Sequence, residues 1–567
     1  MKHSNSLSLS FIPVPRLVEP LFGECSANVL AKQPEVVMTP GFPDEGYQLD
    51  IAPEGVRLVA STELGTFRAR QTLEQIRLQA DDSCMVPSLH IEDAPAFPVR
   101  GVLLDISRGR VPRPERLART IRRLAALKIN HVQLYFEHPF RFAFDPAIAG
   151  EDAYTPSDLR RLDALCRSLH VELVPCFTCF GHLGRLLSLP PYRPLAEVEF
   201  PAPDWASATF LQRLHGATIN PDAPGTLPLL ERLLGEFLPC FSSPHFNLCG
   251  DETYELGAHL GPSPASSALA ALYARHVRHI AEIAARHGKT VLLWGDILHK
   301  HPEAIPHLPE DATILDWAYF PTNDFDRCHI FADAGRPFLT CPSTRGFGTL
   351  FNRVDEAALV LRCQTDAALR HGARGLLVTD WGDFGHFNLP ATSLHPLALG
   401  AALAWNPDTT DAAFDDAFSV LFHPAELARE AGRFPSRLSA SPFFPVHPRL
   451  APADQTPLPP ETLANDLIDR AETLAEDFAA APLGPYLDGT ERRELWLAAD
   501  CLAFAGMLDN PTSTASELRS ALDAIESLYA PLWHAESLPA GLADIQSRIF
   551  SPLRAKCVCD SRPGGVD

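Results

Sequence analysis

From residue 100 to residue 405 the chain alternates short apolar runs with amphipathic helical stretches. The runs fall at 102–104, 131–135, 171–174, 246–248, 291–294, 313–317, 338–340 and 375–379. Between them, 114–127, 156–169, 267–287 and 354–371 carry apolar residues at helical spacing, and Thr155-Pro156-Ser157-Asp158 has the composition of a helix start. Eight strands alternating with helices over ~300 residues are what a (β/α)8 TIM barrel requires. A doubly wound open sheet is the alternative. It usually needs fewer units and tends to carry a Gly-rich phosphate loop after its first strand, where this chain reads Asp105-Ile-Ser-Arg-Gly-Arg110. The pattern therefore predicts an α/β barrel over 96–406.

The flanks read differently. Over 1–95 the segments 47–51 and 56–60 alternate with a period near two about Pro53-Glu54-Gly55, a hairpin signal. Phe67, Thr72, Leu73 and Ile76 then follow a helical spacing. This is a small α+β domain ending at the Pro-rich stretch 93–98. Residues 407–567 read as a helical region, with amphipathic stretches at 412–421, 461–480, 491–508 and 516–529, a Pro/Ala-rich linker over 442–460, and no catalytic motif.

Composition narrows the function. The 567 residues are 46% hydrophobic and 21% charged, as in globular proteins, which excludes wholesale disorder. A net charge of −22 repels phosphate backbones and anionic membranes, so neither nucleic acid nor a membrane is an expected partner. The 13 cysteines are dispersed and sit beside apolar residues, as free thiols do in a reducing compartment. With no apolar leader visible at the N-terminus and no run of 18 apolar residues, the expected location is cytoplasmic.

The C-terminal ends of barrel strands form the reactive face. The fourth predicted strand runs out into Cys249-Gly-Asp-Glu-Thr-Tyr254, so Asp251 and Glu252 emerge together at that face. Mutual repulsion and partial desolvation of adjacent carboxyls push at least one pKa upward, and a raised carboxyl serves as an acid while its neighbour stays ionised. A helix N-cap is the plainer reading of the same pair. Of seven tryptophans, Trp294, Trp317 and Trp381 each end a predicted strand. Aromatic walls interspersed with carboxylates suit a sugar, whose C–H faces stack while its hydroxyls bond to charged groups. Core packing is the other account of such a cluster.

The blocks Phe97-Pro-Val-Arg-Gly-Val-Leu-Leu-Asp-Ile-Ser-Arg108, Cys249-Gly-Asp-Glu252 and Thr379-Asp-Trp-Gly-Asp383 resemble the family 20 glycoside hydrolases, the β-N-acetylhexosaminidases. The stretch Gly65-Thr-Phe-Arg-Ala-Arg-Gln-Thr-Leu-Glu-Gln75 is similar to that family's preceding small domain, and the likeness covers roughly 45–405. The resemblance implies an exo-acting retaining hydrolase in which the substrate's 2-acetamido oxygen attacks C1, giving an oxazolinium intermediate without metal or organic cofactor. Glu252 would then be the acid/base and Asp251 the group that holds the acetamido N–H. Arg108 would bind hydroxyls of the terminal sugar, as would Asp383. Trp294, Trp317 and Trp381 would wall the pocket, and a Glu137–His182–Glu252 relay would tune the acid. The substrate implied is an oligosaccharide or glycoconjugate with a terminal β-linked N-acetylhexosamine.

Two family residues, a Tyr and an Asp after the seventh strand, are missing from Thr340-Cys-Pro-Ser-Thr-Arg-Gly-Phe347. Tyr319 is the candidate for the lost acetamido contact. Arg345 reads as a salt-bridge partner or as a contact for an acidic sugar. Cys176-Phe-Thr-Cys179 reads as two buried thiols and His299-Lys-His301 as too little for a metal site. Altered amino-sugar specificity, a non-catalytic sugar-binding protein and a metal-dependent barrel hydrolase are the remaining alternatives.

Overall fold

The computed structural model describes residues 9–80, 85–209, 212–213, 218–433, 464–510 and 512–557. Strands Leu17–Ser26 (β1), Glu35–Met38 (β2), Tyr47–Ala52 (β3), Gly55–Ala60 (β4) and Met85–Asp93 (β5) form one sheet in the order β1-β5-β3-β4-β2. β3 and β4 are the hairpin that the period-two pattern predicts, paired from Tyr47 opposite Ala60 to Ala52 opposite Gly55. Their inward residues Tyr47, Leu49 and Ile51 share a core with Leu73 and Ile76 of the helix Glu63–Gln79. That helix starts at Glu63 because the Thr62 side chain accepts the Gly65 N–H.

Val99–Asp105 (β6), His131–Phe136 (β7), Glu172–Phe177 (β8), His245–Asn247 (β9), Thr290–Trp294 (β10), Thr313–Trp317 (β11), Phe338–Cys341 (β12) and Gly375–Asp380 (β13) close into a parallel barrel, with β13 pairing back to β6. Each strand overlaps an apolar run of the sequence. The helices between them coincide with the amphipathic stretches, and Thr155 and Asp158 form a capping box at the start of Pro156–Ser168. The interior is filled by alternate residues of the strands: Leu103, Tyr135, Cys176, Leu292, Leu315, Leu339 and Leu377 form one buried cluster. Asn247 Nδ2 donates to Gln133 Oε1 at 2.8 Å among them.

At the N-terminal end of β6, Arg100 crosses to the small domain. It donates from Nη1 to Glu45 Oε1 and from Nε to the Lys128 carbonyl, each at 2.9 Å. Arg68 Nε donates to the same Glu45 at 2.7 Å. Lys128 Nζ and Trp405 Nε1 both reach Asp93 at 2.8 Å, so sheet, barrel and the end of helix Leu394–Trp405 lock together.

The helical region contains Asp411–Leu421, Ala425–Arg433, Ala464–Ala480, Gly489–Asp509, Ala515–Glu536 and Ala540–Ile545. The predicted linker over 442–460 lies outside the described residues. The helices pack on the barrel through charge and close backbone contact. Arg116 Nη1 donates to Glu536 at 3.0 Å, and Arg123 Nη2 to Glu491 at 2.8 Å. A Cβ placed on Gly541 would fall 1.8 Å from the Gly109 carbonyl oxygen, so glycine alone fits there. Among the described residues no helix is long and apolar enough to cross a membrane.

Candidate active site

The fourth barrel strand ends in a turn of unusual backbone. Cys249, Gly250 and Glu252 have φ of 64°, 82° and 46°, all left-handed, and His182 in the neighbouring loop has φ 55°. Such conformations cost a side-chain-bearing residue ~1–3 kcal/mol, so the surroundings must fix them. Asn247 Oδ1 accepts the Cys249 N–H at 2.9 Å, Tyr273 OH donates to the Gly250 carbonyl at 3.1 Å, and the Glu252 N–H donates to Asp296 Oδ2 at 3.1 Å. The turn thus delivers Asp251, which is buried, beside Glu252, whose side chain is 28% exposed.

His182 Nε2 lies 3.4 Å from Asp251 Oδ2 and 3.4 Å from Glu252 Oε2. Burial alone would favour neutral imidazole, but the Asp251 charge and hydrogen bonds to both acids push its pKa well above the ordinary histidine value. Burial raises Glu252, but the His182 hydrogen bond and charge, with help from Tyr254 and Arg108, overcome that and hold it at about 2. The sequence expectation that crowding lifts one member of the Asp251/Glu252 pair is therefore corrected for Glu252, because an imidazolium sits between the two. Glu137, Asp383 and Asp296 are raised instead, and Asp296 is the one that sequence reasoning missed. Burial, and then the charges of Asp251 and Glu252, raise it to about 7. Its place in Trp294-Gly295-Asp296, just past a strand end, is the signal that would have found it.

Arg108 follows β6. Asp105 Oδ1 accepts the N–H groups of Ser107 and Arg108 at 2.9 and 3.2 Å, and its Oδ2 accepts that of Gly382 at 3.0 Å, which ties the loops after β6 and β13 together. Arg108 Nη1 donates to Asp383 Oδ1 at 2.8 Å; Nε is 3.2 Å from Glu137 Oε1 but is not aligned to donate. The guanidinium carbon sits 4.9 Å from the Trp381 ring centre and 5.1 Å from that of Tyr135. Glu137 also accepts from Tyr135 OH at 3.0 Å. Burial raises Glu137, while Arg108 and then His182 pull it down. Of the proposed relay, His182 and Glu252 touch, whereas Glu137 is anchored to Arg108 and Tyr135 and senses His182 through charge.

The strand-end aromatics form one wall. Trp294 and Trp381 have ring centres 6.0 Å apart, and Trp317 stacks on Tyr319 at 4.8 Å. Tyr319 OH accepts the Trp381 Nε1–H at 2.8 Å, so it fixes an indole of the wall. Within this region Asp251 Oδ1 and Trp294 Nε1 are buried and have no hydrogen-bond partner.

Other sequence candidates fall into structural roles. Arg345 donates to Glu356 at 2.6 Å and stacks on Phe320 and Phe347. His299 Nε2 pairs with Asp316 at 2.8 Å, and the described residues contain no group of three metal-binding side chains. Cys176 and Cys179 are buried free thiols.

A closed parallel barrel carrying adjacent acids, a histidine and an arginine at its C-terminal mouth defines the class: a barrel protein with its polar site at the strand ends. Residues 13–94 match the family model described as glycosyl hydrolase family 20, domain 2, and residues 97–344 match that of the family 20 catalytic domain. The chain belongs to glycosyl hydrolase family 20. It is 28% identical over 236 residues to a beta-hexosaminidase of Vibrio furnissii, an alignment covering 37% of this chain and 38% of that protein. The chain thus spans less than two-fifths of that relative's length. An N-acetyl-beta-hexosaminidase of Streptomyces plicatus, solved in complex with Thio-NAglucal, superposes with a TM-score of 0.57 at 21% identity, covering 76% of this chain and 95% of that one. A chitobiase of Flavobacterium johnsoniae gives 0.59 at 17% identity, covering 92% and 99%. At these identities the structures share the fold.

Proposed function

We propose that the chain is an exo-acting β-N-acetylhexosaminidase that uses the substrate's own acetamido group as nucleophile. The observation that carries this reading is Asp251 Oδ1, a buried acceptor without a partner, beside the partly exposed side chain of Glu252. A buried lone acceptor is costly unless a ligand donor meets it, and an acetamido N–H is such a donor.

The acetamido oxygen attacks C1, the C1–O bond to the leaving group breaks, and the leaving oxygen takes a proton from Glu252. The Asp251 carboxylate holds the amide N–H and faces the positive charge that grows on the ring it closes. Water then opens the oxazolinium at C1 and gives its proton back to Glu252, so configuration is retained. In the free protein the Glu252–His182 pair holds one proton on the imidazole side. Substrate that displaces water from the mouth disfavours the separated charges and draws that proton onto the carboxyl. Arg108 and Asp383 supply donor and acceptor for sugar hydroxyls, and the indoles of Trp294, Trp317 and Trp381 wall the ring.

Release of 4-nitrophenol from the β-N-acetylglucosaminide and β-N-acetylgalactosaminide tests this reading. Glu252→Gln and Asp251→Asn should each lower turnover at least ~100-fold, as loss of a general acid or of a charge-stabilising group does. Undiminished hydrolysis by both variants would show that the reacting groups lie elsewhere.

A further inference from the structure

Arg108 and Glu137 also line a second space, a cavity of about 550 Å³ closed on one side by Ala540, Gly541 and Asp544 of the helical region. That size lies within the ~300–1,000 Å³ of ligand clefts. Neither Asp251 nor Glu252 is among its lining residues, so it adjoins the reacting centre through the arginine. Most of its charges are matched. Arg213 Nη1 donates to Asp544 at 2.6 Å, and Asp152 accepts the Ala540 N–H at 2.7 Å.

The exposed Glu151 and, on the inner wall, Arg185 are the exceptions. Among the described residues no carboxylate pairs with Arg185: Nη2 reaches only the Ala147 carbonyl at 3.4 Å, and Nε is buried without a hydrogen bond. Burial and then the like charge of Arg213 lower its pKa. His138 Nδ1, on the same wall, is likewise buried and without a partner. Burial, with Arg185 and Arg213, holds this histidine at about 3, so it is neutral. A guanidinium left without a counter-charge, in a chain of net charge −22, marks a place where an anion is missing.

We propose that this cavity is a subsite for an anionic sugar residue, joined through a hydroxyl of the N-acetylhexosamine that Arg108 holds, with its carboxylate or sulfate meeting Arg185. The inference rests on the hexosaminidase reading and extends it. The bond broken is the same C1–O bond, and water adds across it, but the product is an acidic disaccharide.

The experiment compares 4-nitrophenyl β-N-acetylglucosaminide with its 3-O- and 4-O-extended forms carrying glucose, galactose, glucuronic acid or sulfated galactose. At least one acidic form should be cleaved with kcat/KM ten times that of its neutral counterpart or more. The glucuronosyl and sulfated arms tell carboxylate from sulfate. Arg185→Met, which keeps the apolar stem, should reduce the acidic-to-neutral ratio at least ~10-fold, the scale of one charge-assisted hydrogen bond. Ala543→Trp, placed at the exposed rim of the cavity, should lower cleavage of every extended form relative to the unsubstituted one. Calorimetric titration with the free acidic disaccharides separates the two readings. Binding that Arg185→Met abolishes, in a protein that cleaves nothing, keeps the subsite and removes the hexosaminidase. Cleavage of the unsubstituted glycoside with refusal of all extended forms, or equal treatment of neutral and acidic ones by wild type, overturns the subsite, as does a protein that neither cleaves nor binds them.

Discussion

Strand β6 carries an arginine at each end of the barrel, and the two are treated in opposite ways. Arg100, at the N-terminal end, is fully buried, with Nε and Nη1 donating to the Lys128 carbonyl, the Glu45 carboxylate and the Phe97 carbonyl. Arg108, past the C-terminal end, faces three acids, Asp105, Glu137 and Asp383, with its Nε donating to none. At the closed end every Arg100 nitrogen donates, whereas the other end keeps a buried acceptor, Asp251 Oδ1, without a partner. In a (β/α)8 barrel the first kind of end secures the fold and the second does chemistry.

The largest expected effect is at the closed end. Glu45→Gln leaves Arg68 and Arg100 buried without their carboxylate and should cost about 3–5 kcal/mol in urea unfolding, with activity per folded molecule unchanged. Arg108→Met should do the reverse. We expect kcat/KM on the 4-nitrophenyl glycosides to fall ~30–1,000-fold while the protein still folds; a purely structural Arg108 would instead lower the unfolding midpoint and spare kcat/KM.

His182→Asn sharpens the comparison through pH. With the raised histidine pKa, the shared proton stays in the site well above pH 7; without the imidazole, Glu252 must hold it alone. The loss of kcat/KM should therefore be ~10–100-fold at pH 7 and smaller at pH 5, and a loss independent of pH would remove His182 as the proton's holder. The stability signs differ within the pair. The depressed Glu252 contributes above its ordinary value of ~4.3 and loses that contribution as pH falls toward about 2, whereas the raised His182 contributes fully below ~6.5 and loses it as pH climbs through its elevated pKa.

Asp296→Asn should give the smallest change. Raised to about 7, the wild-type carboxyl keeps its proton after that of the unfolded chain has left at ~3.9, and once ionised it faces the charges of Asp251 and Glu252, so stability falls as pH rises from ~4 to about 7 and is level above that. The asparagine keeps an acceptor for the Glu252 N–H and should melt later than wild type by the equivalent of at least ~1 kcal/mol at pH 8, with the difference shrinking as pH falls toward 4. Equal curves at both pH values would place that acid's charge outside the site's electrostatics.

The barrel was legible because its strands are buried on both faces and read as continuous apolar runs, while its helices keep a polar face. Asp251 and Glu252 were legible from their place at a strand end. The charge state of Glu252 was not, since it depends on His182, brought from a loop some seventy residues earlier. Arg185 and His138 carried no motif at all. Their chemistry comes from what surrounds them, and part of that surrounding is supplied by 540–544, far along the chain.

The meeting of Gly541 with Gly109 has a consequence for any attempt to trim this protein. Gly109 lies against Gly385, where an added Cβ would come within 2.7 Å, and Arg110 is gripped from the other side by Tyr529 and Trp533. A shortened chain that stopped at Trp405 would retain all eight strands and both acids, yet the loop that carries Arg108 would lose its backstop. The helical tail, motif-free as it is, therefore acts as a buttress, and a minimal working version has to include it.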